Sequence, residues 1–375
     1  INESNMAGNV FGVADTEFWP SSRGKAYPFV FGYPGEPYIK SGGGMSKQTF
    51  TTPAYIVAVV NKIIEGYQAR DSVLLIAGHK VDANTVVVMD ANLAYQSLAV
   101  FEAVDNNGVL YSYVIIDSTG NLQRPQVPSA TGQTETAYQY WVQWGGEPTP
   151  GTKYGGGALN SNGNGVLQRA GDVVMYALRK TNANIDFAAW QAIAPLLNGY
   201  KFSGYINDFG VSAWDWLQQN ILKFLPVEAR ASVNGIRPLV SLMFIQSGYL
   251  ASSYNIIINS DFAITSAIVM QNELDDIINE YVLQFVWEGK NDNAIAAHIV
   301  GSERLVDSAA IDSTSYAWTS QNKYGRHQAV EHSYYIYDRE TAAKVCKDKV
   351  RQHAFAFRQF DCVANAKYGY LNVGD

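Results

Sequence analysis

Hydrophobic residues in the first third of the chain fall into short runs of strand-like length. Four segments rich in β-branched and aromatic residues predict antiparallel strands, at 72–77, 85–89, 95–104 and 109–116. Asn107-Gly108, between the last two segments, is typical of a two-residue hairpin turn. The pattern predicts an antiparallel meander that would suit a small barrel or a sandwich.

A different pattern precedes these strands, between residues 54 and 70. Thr52-Pro53 has the form of a helix N-cap followed by a proline at the first helical position. Apolar residues then recur at helical spacing, at Ile56, Val59, Val60, Ile63, Ile64 and Tyr67. We therefore predict one helix from 54 to about 70.

Residues 121–165 have the composition of a long excursion rather than of a regular element. They contain four prolines and the cluster Gly155-Gly156-Gly157. A loop of this length inside a compact domain is unusual unless a partner orders it. Trp141 and Trp144 lie in this segment and need an apolar environment, so both are candidate interface residues.

Residues 166–237 predict a helix–helix–strand–helix module. Asp172 and Asp186 are candidate N-caps of the first two helices, and Gly199 would end the second. A strand is predicted at 200–206. Ser212, followed three residues later by Asp215, resembles a capping box that starts the third helix.

Strand-like segments return after residue 238. Strands are predicted at 256–258, 281–287 and 333–337, with a polar stretch near 302–322 between the last two. Asp338 would cap a helix that carries Ala342, Val345 and Cys346 on its apolar face, and 355–360 alternates like a strand. The chain thus divides into four predicted parts: 1–120, 121–165, 166–237 and 238–375.

The composition favours a surface that other subunits cover. Charged residues make up only 16% of the 375 residues, while Tyr occurs 24 times and Gly 32 times. Low charge with many aromatic residues is typical of protein–protein interfaces. The net charge of −7 argues against a protein that grips nucleic acid by its phosphates, although DNA could still slide past such a wall.

The search for catalytic and metal-binding patterns predicts no catalytic residue, no cofactor and no metal site. His327 and His332 are five apart, whereas zinc histidines on one helix face are four apart. Cys346 falls on the apolar face of a predicted helix and should be a core residue. Asp275-Asp276, close after Glu273, could suggest a glycosidase, but a solvated helix face or an Asx-turn cluster is the favoured interpretation. No apolar run is long enough to span a bilayer.

Three groups of residues follow one another in the second half of the chain. The first comprises Gly171-Asp172-Val173-Val174, Asn184-Ile185-Asp186, Trp190, Leu197-Asn198-Gly199-Tyr200, Trp216-Leu217 and Leu225-Pro226. The second comprises Asn279-Glu280-Tyr281-Val282-Leu283-Gln284-Phe285 and then Tyr324-Gly325-Arg326. The third comprises Asp338, Thr341-Ala342-Ala343 and Leu371-Asn372-Val373-Gly374-Asp375. In this order the chain resembles the baseplate-hub, or tail-tip, proteins of tailed bacteriophages and gene-transfer particles, and 27–32 resembles an entry segment of some of them.

The resemblance implies a β-rich α+β fold with two tail-tube-like antiparallel β-barrel domains and an inserted helical α/β module. It implies a homotrimeric ring at the distal end of the virion's tail, assembled in the host cytoplasm. The partners would be the tail tube or distal tail protein, a central spike or fibre, and the tape-measure protein. DNA would only pass through the lumen. Tyr324 and Arg326, in the matching loop, join Trp141 and Trp144 as candidate interface residues.

Two other functions remain open on the sequence. A receptor-binding tail fibre or adhesin domain would also be β-rich and acidic, but it should show repeats or a coiled-coil lead-in, and neither is visible. A carbohydrate-active enzyme could use the eight Trp and many Tyr to stack on sugar rings. Such an enzyme needs two convergent acids in a cleft.

Overall fold

The computed structural model describes a large part of the chain in regular elements and their connections. The described residues are 16–18, 27–32, 52–64, 67–81, 85–90, 95–105, 107–116, 122, 140–143, 167–206, 210–232, 234–240, 262–264, 270–271, 276–288, 293–301, 311–355, 358–359 and 362–364. Over these residues the fold is mixed α/β, with many strands and five α-helices.

An eight-stranded antiparallel sheet is built from the first 143 residues. Its strands are β1 (Thr16–Phe18), β3 (Thr52–Ile64), β4 (Tyr67–Ala77), β5 (Thr85–Asp90), β6 (Tyr95–Ala99), β7 (Phe101–Val104), β8 (Leu110–Ile116) and β9 (Tyr140–Gln143), while β2 (Phe29–Phe31) pairs elsewhere. The main path runs β6-β5-β9-β3-β4-β8-β7, and β1 pairs with β3. The predicted strands at 72–77, 85–89, 95–104 and 109–116 are therefore confirmed in substance.

The two ends of this path are neighbours in the chain. β6 and β7 are separated by Val100 alone, yet β6 pairs with β5 at one end and β7 with β8 at the other. The chain from 95 to 104 thus acts as one strand, bent at Val100, that belongs to both ends. The described hydrogen-bonded ladder does not close into a barrel. One side of the sheet encloses a small core that includes Leu74, Ile76, Val86, Val88 and Val114.

The helix predicted at 54–70 is wrong, because these residues form β3 and the start of β4. β3 and β4 pair from Ile64↔Tyr67 to Tyr55↔Leu75, with one irregularity. The apolar residues in question are mostly Ile and Val, whose branched Cβ favours extended backbone. Pairing along the full length of both strands outweighs the helical spacing and the cap-like Thr52-Pro53.

The excursion at 121–165 is also not entirely irregular. Residues 140–143 form β9, which lies between β3 and β5 and pairs with both. Leu122 is buried against the core of the sheet. The other residues of this segment lie outside the described part.

The central module contains α1 (Ala170–Leu178), α2 (Phe187–Ile193), a 3₁₀ segment (Ala194–Gly199), β10 (Gly204–Ile206) and α3 (Ala213–Asn220). The Asp186 side chain caps α2 by accepting a hydrogen bond from the Ala189 amide, and the Ser212 side chain caps α3 by accepting one from the Asp215 amide. Both predicted caps are therefore confirmed. The Asp172 cap is wrong: Arg169 is the N-cap residue, and Asp172 lies buried in the first turn of α1. The predicted strand at 200–206 is reduced to its last three residues.

The C-terminal part contains a three-stranded sheet in the order β16-β15-β17, with β15 (Glu280–Glu288) in the centre, β16 (Asn293–Val300) antiparallel to it and β17 (Gln328–His332) parallel. Two helices accompany it, α4 (Ile311–Tyr324) and α5 (Arg339–His353). The remaining strands form pairs: β11 (Val227–Ser232) with β12 (Gly235–Val240), β13 (Phe262–Ile264) with β19 (Cys362–Ala364), and β14 (Met270–Gln271) with β18 (Arg358–Gln359).

Several predictions in this part are decided by the structure. The Asp338 cap is confirmed by its hydrogen bond from the Thr341 amide. The strand predicted at 333–337 is wrong, because the strand lies just before it at β17, and the polar stretch contains α4. The strand at 355–360 is reduced to β18. The predicted strand at 256–258 and the closing residues 371–375 lie outside the described part.

One large core joins the central module to the C-terminal sheet. Trp190 and Leu217 of the module, Tyr281 and Phe285 of β15, and Val345 of α5 belong to the same buried cluster. Cys346 is also in this core, as predicted, and burial raises the pKa of its thiol to about 12. The thiol is therefore protonated at neutral pH.

β2 lies between this core and that of the first sheet. It pairs antiparallel with β10, from Phe31↔Gly204 to Phe29↔Ile206. Because side chains alternate along a strand, Phe29 and Phe31 pack on the large core while Val30 enters the small one. The short β2–β10 ribbon is thus a partition that both cores share.

Candidate functional site

An aromatic cleft opens where the β2–β10 ribbon meets the helices of the central module. Its volume is about 600 Å³. Seven aromatic side chains line it, those of Tyr27, Phe29, Phe31, Tyr176, Tyr205, Trp216 and Tyr335. Pockets of this size with an apolar lining and a few polar groups are the usual form of a binding site. The segment 27–32 resembles an entry segment, but the sequence gives no sign of the cleft, because its walls come from five separate parts of the chain.

The aromatic rings of the cleft hold one another in place. Phe31 stacks on Tyr335 at 5.7 Å between ring centroids and meets Trp216 edge-on at 5.9 Å. The Trp216 indole N–H donates to the Tyr335 hydroxyl at 3.1 Å. Phe29 stacks on Tyr176, whose ring also faces the Lys180 ammonium at 5.5 Å. The wall is therefore preorganised for an apolar or aromatic group.

Hydrogen bonds to the end of β4 fix the outer part of this wall. The Val30 amide donates to His79 Nε2 at 2.9 Å, and the Gly78 amide donates to the Pro28 carbonyl at 2.8 Å. His79 Nδ1 lies 2.7 Å from the Lys80 carbonyl, which can only accept. These contacts require the neutral imidazole with its proton on Nδ1. His79 thus holds β2 in place through the Val30 amide. None of the described residues that line the cleft carries a carboxylate.

A second feature, the turn between α4 and β17, carries two of the predicted interface residues. Tyr324 ends α4, Gly325 has a left-handed φ of 84°, and Arg326 follows. Trp141 lies in β9 of the first sheet, where only its backbone is described, and Trp144 lies outside the described residues. The structure therefore groups Tyr324 with Arg326 but does not group these two with the tryptophans.

Arg326 covers a buried carboxylate. Its Nε and Nη2 each lie 2.5 Å from an oxygen of Glu280, and Gln328 donates to the same carboxylate. The Glu280 side chain is 2% exposed, whereas that of Arg326 is 63% exposed. The Arg326 hydrogen bonds hold the pKa of Glu280 below its usual value, Gln328 adds to this effect, and burial opposes it.

The buried side chain of Asn279 hydrogen-bonds to the backbone of this turn. The sequence indicated Asn279 only as part of a longer motif. Its side-chain oxygen accepts from the His327 amide at 2.7 Å, and its amide group donates to the Gly325 carbonyl at 2.7 Å and to Ser320 at 3.1 Å. Gln321 donates to the Asn279 backbone carbonyl at 3.0 Å. Asn279 is fully buried, so the backbone of the turn is fixed from inside.

No family model and no curated protein matches the chain. Among the described residues, no group of three or more His, Cys, Asp or Glu could hold a metal ion. No helix in the same part of the chain is long and apolar enough to span a membrane.

The Arg326–Glu280 pair gives a pH-dependent prediction. A carboxyl whose pKa is lowered by folding stabilises the fold above its unfolded pKa and loses this contribution as the pH falls through its folded pKa. We expect Arg326→Gln to lower the unfolding midpoint at pH 7 and to differ much less from the wild type at pH 3.

Thermal unfolding at both pH values measures this difference. Arg230→Gln is the matched control, since Arg230 pairs at 2.5 Å with Glu228 but both side chains are more than half exposed. Such surface pairs contribute about 0–1 kcal/mol. Equal effects of the two substitutions at pH 7 would contradict the assigned role of Arg326.

Asp172 gives a prediction of opposite sign. It is 2% exposed and its Oδ1 has no hydrogen-bond partner among the described residues. Burial raises its pKa from 3.8 to about 7, while Arg169 works in the other direction. A raised carboxyl pKa destabilises the fold progressively as the pH rises from 4 to 7, by about 2–4 kcal/mol in total.

We therefore expect Asp172→Asn to stabilise the protein at pH 8 and to be nearly neutral at pH 4. Urea unfolding at the two pH values measures the change. The wild-type protein at the same pH is the reference for each measurement. An exposed aspartate such as Asp215 cannot serve as a control, because its carboxylate accepts a hydrogen bond from Ser212. A gain in stability at pH 4 as large as that at pH 8 would show that the ionisation of Asp172 is not the cause.

Proposed function

We propose that this chain is a structural virion subunit, a baseplate hub that closes the tail tube of a tailed bacteriophage or related particle. In this proposal three copies form a ring between the tail tube or distal tail protein above and a spike or fibre below. The tape-measure protein and DNA pass through its lumen. The chain contributes surfaces and contacts rather than catalysis.

The bent strand 95–104 is the observation that carries the proposal. Its two halves, β6 and β7, lie at opposite ends of the main path and are separated in the chain by Val100 alone, which brings the two ends of the path close together. A sheet with adjacent ends supports the proposal of a barrel-like ring domain of the tail-tube type. In the assembled hub such a domain would leave few free edges to pair at random with other chains.

The C-terminal sheet supports a second ring-forming domain in each subunit. Two such domains in each of three subunits would give the pseudo-sixfold symmetry that a hexameric tube requires. A lumen wall that is neutral to acidic suits the net charge of −7, because a basic wall would hold passing DNA by its phosphates. The aromatic cleft suits a segment of a neighbouring tail protein.

Particle images of the purified full chain test the proposal. We expect threefold rings of tail-tube width, with a mass in light scattering of three times 41.2 kDa. A rod would instead support the receptor-binding fibre, and a stable compact monomer would support the carbohydrate-active enzyme. Either result would overturn the hub.

A further inference from the structure

Among the residues that the structure describes, helices cover one face of the C-terminal sheet and leave the other exposed. α5 packs on β15 and β16, and Tyr281, Leu283 and Phe285 are buried on that side. The opposite side, here called the outer face, presents the alternate residues. In the ladder Ile299, Val282 and Val330 lie side by side across the three strands, and Ile299 is 47% and Val330 55% exposed. An apolar row thus crosses the outer face.

The backbone of β15 places a further aromatic group on this face. Val286 has a φ of 58°, a left-handed conformation that is unfavourable for a β-branched residue. Its amide donates to the Ile336 carbonyl, and its side chain is buried where the alternation would have turned it outward. Trp287 consequently meets His332 and Tyr334, with ring centroids 5.8 and 4.4 Å away. Strained backbone of this kind is concentrated at functional sites.

β16 and β17 are the edge strands of the sheet, and within the described residues each pairs with β15 alone. β16 contains eight residues without a single charge or proline, the two devices by which proteins usually guard an edge. β17 carries one acidic residue, Glu331, which lies opposite the inward-facing Leu283, so the edge of β16 is the less protected of the two.

The outer face carries little net charge. Its side chains in the three strands include Val282, Gln284, Ala297, Ile299, Gln328, Val330 and His332, while Glu280, at the start of β15, is paired with Arg326. Two copies of a chain with a net charge of −7 repel each other wherever their acidic surfaces meet. A neutral face with apolar rows is where they can meet without that repulsion.

We propose that the outer face and its edge strands form the contact between copies of this chain. The closure of this contact into a ring rests on the function proposed above, whereas the contact between two copies does not depend on that function. Edge strands that pair between copies would satisfy the backbone groups of β16 and β17, and the apolar row with Trp287 would fill the centre of the interface.

Substitutions on the outer face test this contact in the full-length protein. We expect Val330→Arg and Ile299→Arg each to weaken self-association at least tenfold, measured by light scattering over a dilution series. Val104→Arg is the matched control, because Val104 is equally exposed, at 55%, on the first sheet. Circular dichroism establishes that each variant is folded.

Hydrogen exchange tests the same contact without a substitution. We expect the amides of 293–300 and 328–332 to become more protected as the protein concentration rises, while those of 101–104 do not change. Wild-type rings that Val330→Arg and Ile299→Arg leave intact would overturn the outer face as the contact but not the hub. A wild-type protein that stays monomeric at every concentration would overturn both.

Discussion

Phe31→Ala is expected to lower the free energy of unfolding by about 3–5 kcal/mol, the usual cost of removing a fully buried aromatic ring. Phe31 is 1% exposed and contacts both Trp216 and Tyr335. The β2 strand to which it belongs is only three residues long, so few other contacts can compensate. Urea unfolding followed by tryptophan fluorescence measures the change.

The control for this substitution is Phe187→Ala, at the start of α2. Phe187 is 40% exposed, and surface positions of this kind usually change stability by about 0.5 kcal/mol or less. A Phe31→Ala protein no less stable than the Phe187→Ala protein would show that β2 is not integral to the large core. The cleft would then have no fixed wall on that side.

Asn279→Ala is expected to cost about 2–4 kcal/mol. The substitution removes three hydrogen bonds and leaves the His327 amide and the Gly325 carbonyl without their side-chain partner inside the fold. A buried polar group that loses its partner costs about 1–3 kcal/mol. Since these groups belong to one turn, we also expect the geometry of Arg326 and Glu280 to loosen, so that the acid sensitivity of the wild type is reduced.

Asn322→Ala is the matched control for this effect. Asn322 lies exposed on α4, one residue beyond Gln321, and alanine is the better helix former. We expect this substitution to be neutral or slightly stabilising in thermal unfolding. If both asparagine variants unfolded at the wild-type midpoint, the buried network would have no energetic role.

Local polar signals in the sequence predicted helix starts well. Asp186, Ser212 and Asp338 each accept the backbone amide three residues later, because a short oxygen-bearing side chain is the nearest partner for an unsatisfied amide in the first turn. The prediction for Asp172 was wrong because Arg169, which makes no side-chain cap, occupies the N-cap position and Asp172 is buried one turn further on. An aspartate close to a helix start therefore does not fix the N-cap position.

Apolar spacing was a weaker guide, as 54–70 and α4 show. Val and Ile at positions that fit a helix also fit a long strand, and only the pairing partner decides between the two. α4 carries few apolar residues, and its buried positions include the small Ala317 and the polar Ser320. Neither gives the apolar stripe from which a helix is predicted.

The candidate sites depended most on contacts that no local pattern contains. The sequence pointed to Tyr324 and Arg326 through a motif, but their partner Glu280 comes from a strand more than 40 residues away. The cleft requires β2 to pair with β10, and the outer face requires β17 to lie parallel to β15. Such long-range pairings depend on the tertiary structure, so a single sequence gives little sign of them.

The shared position of β2 has a consequence for how the chain is made. β2 leaves the ribosome about 170 residues before β10, and at about 5–20 residues per second this interval lasts roughly 10–35 seconds. During that time the first sheet can already pair, while Phe29 and Phe31 have no core to enter. The nascent chain therefore carries an exposed aromatic strand until the central module is synthesised, which makes this interval prone to aggregation.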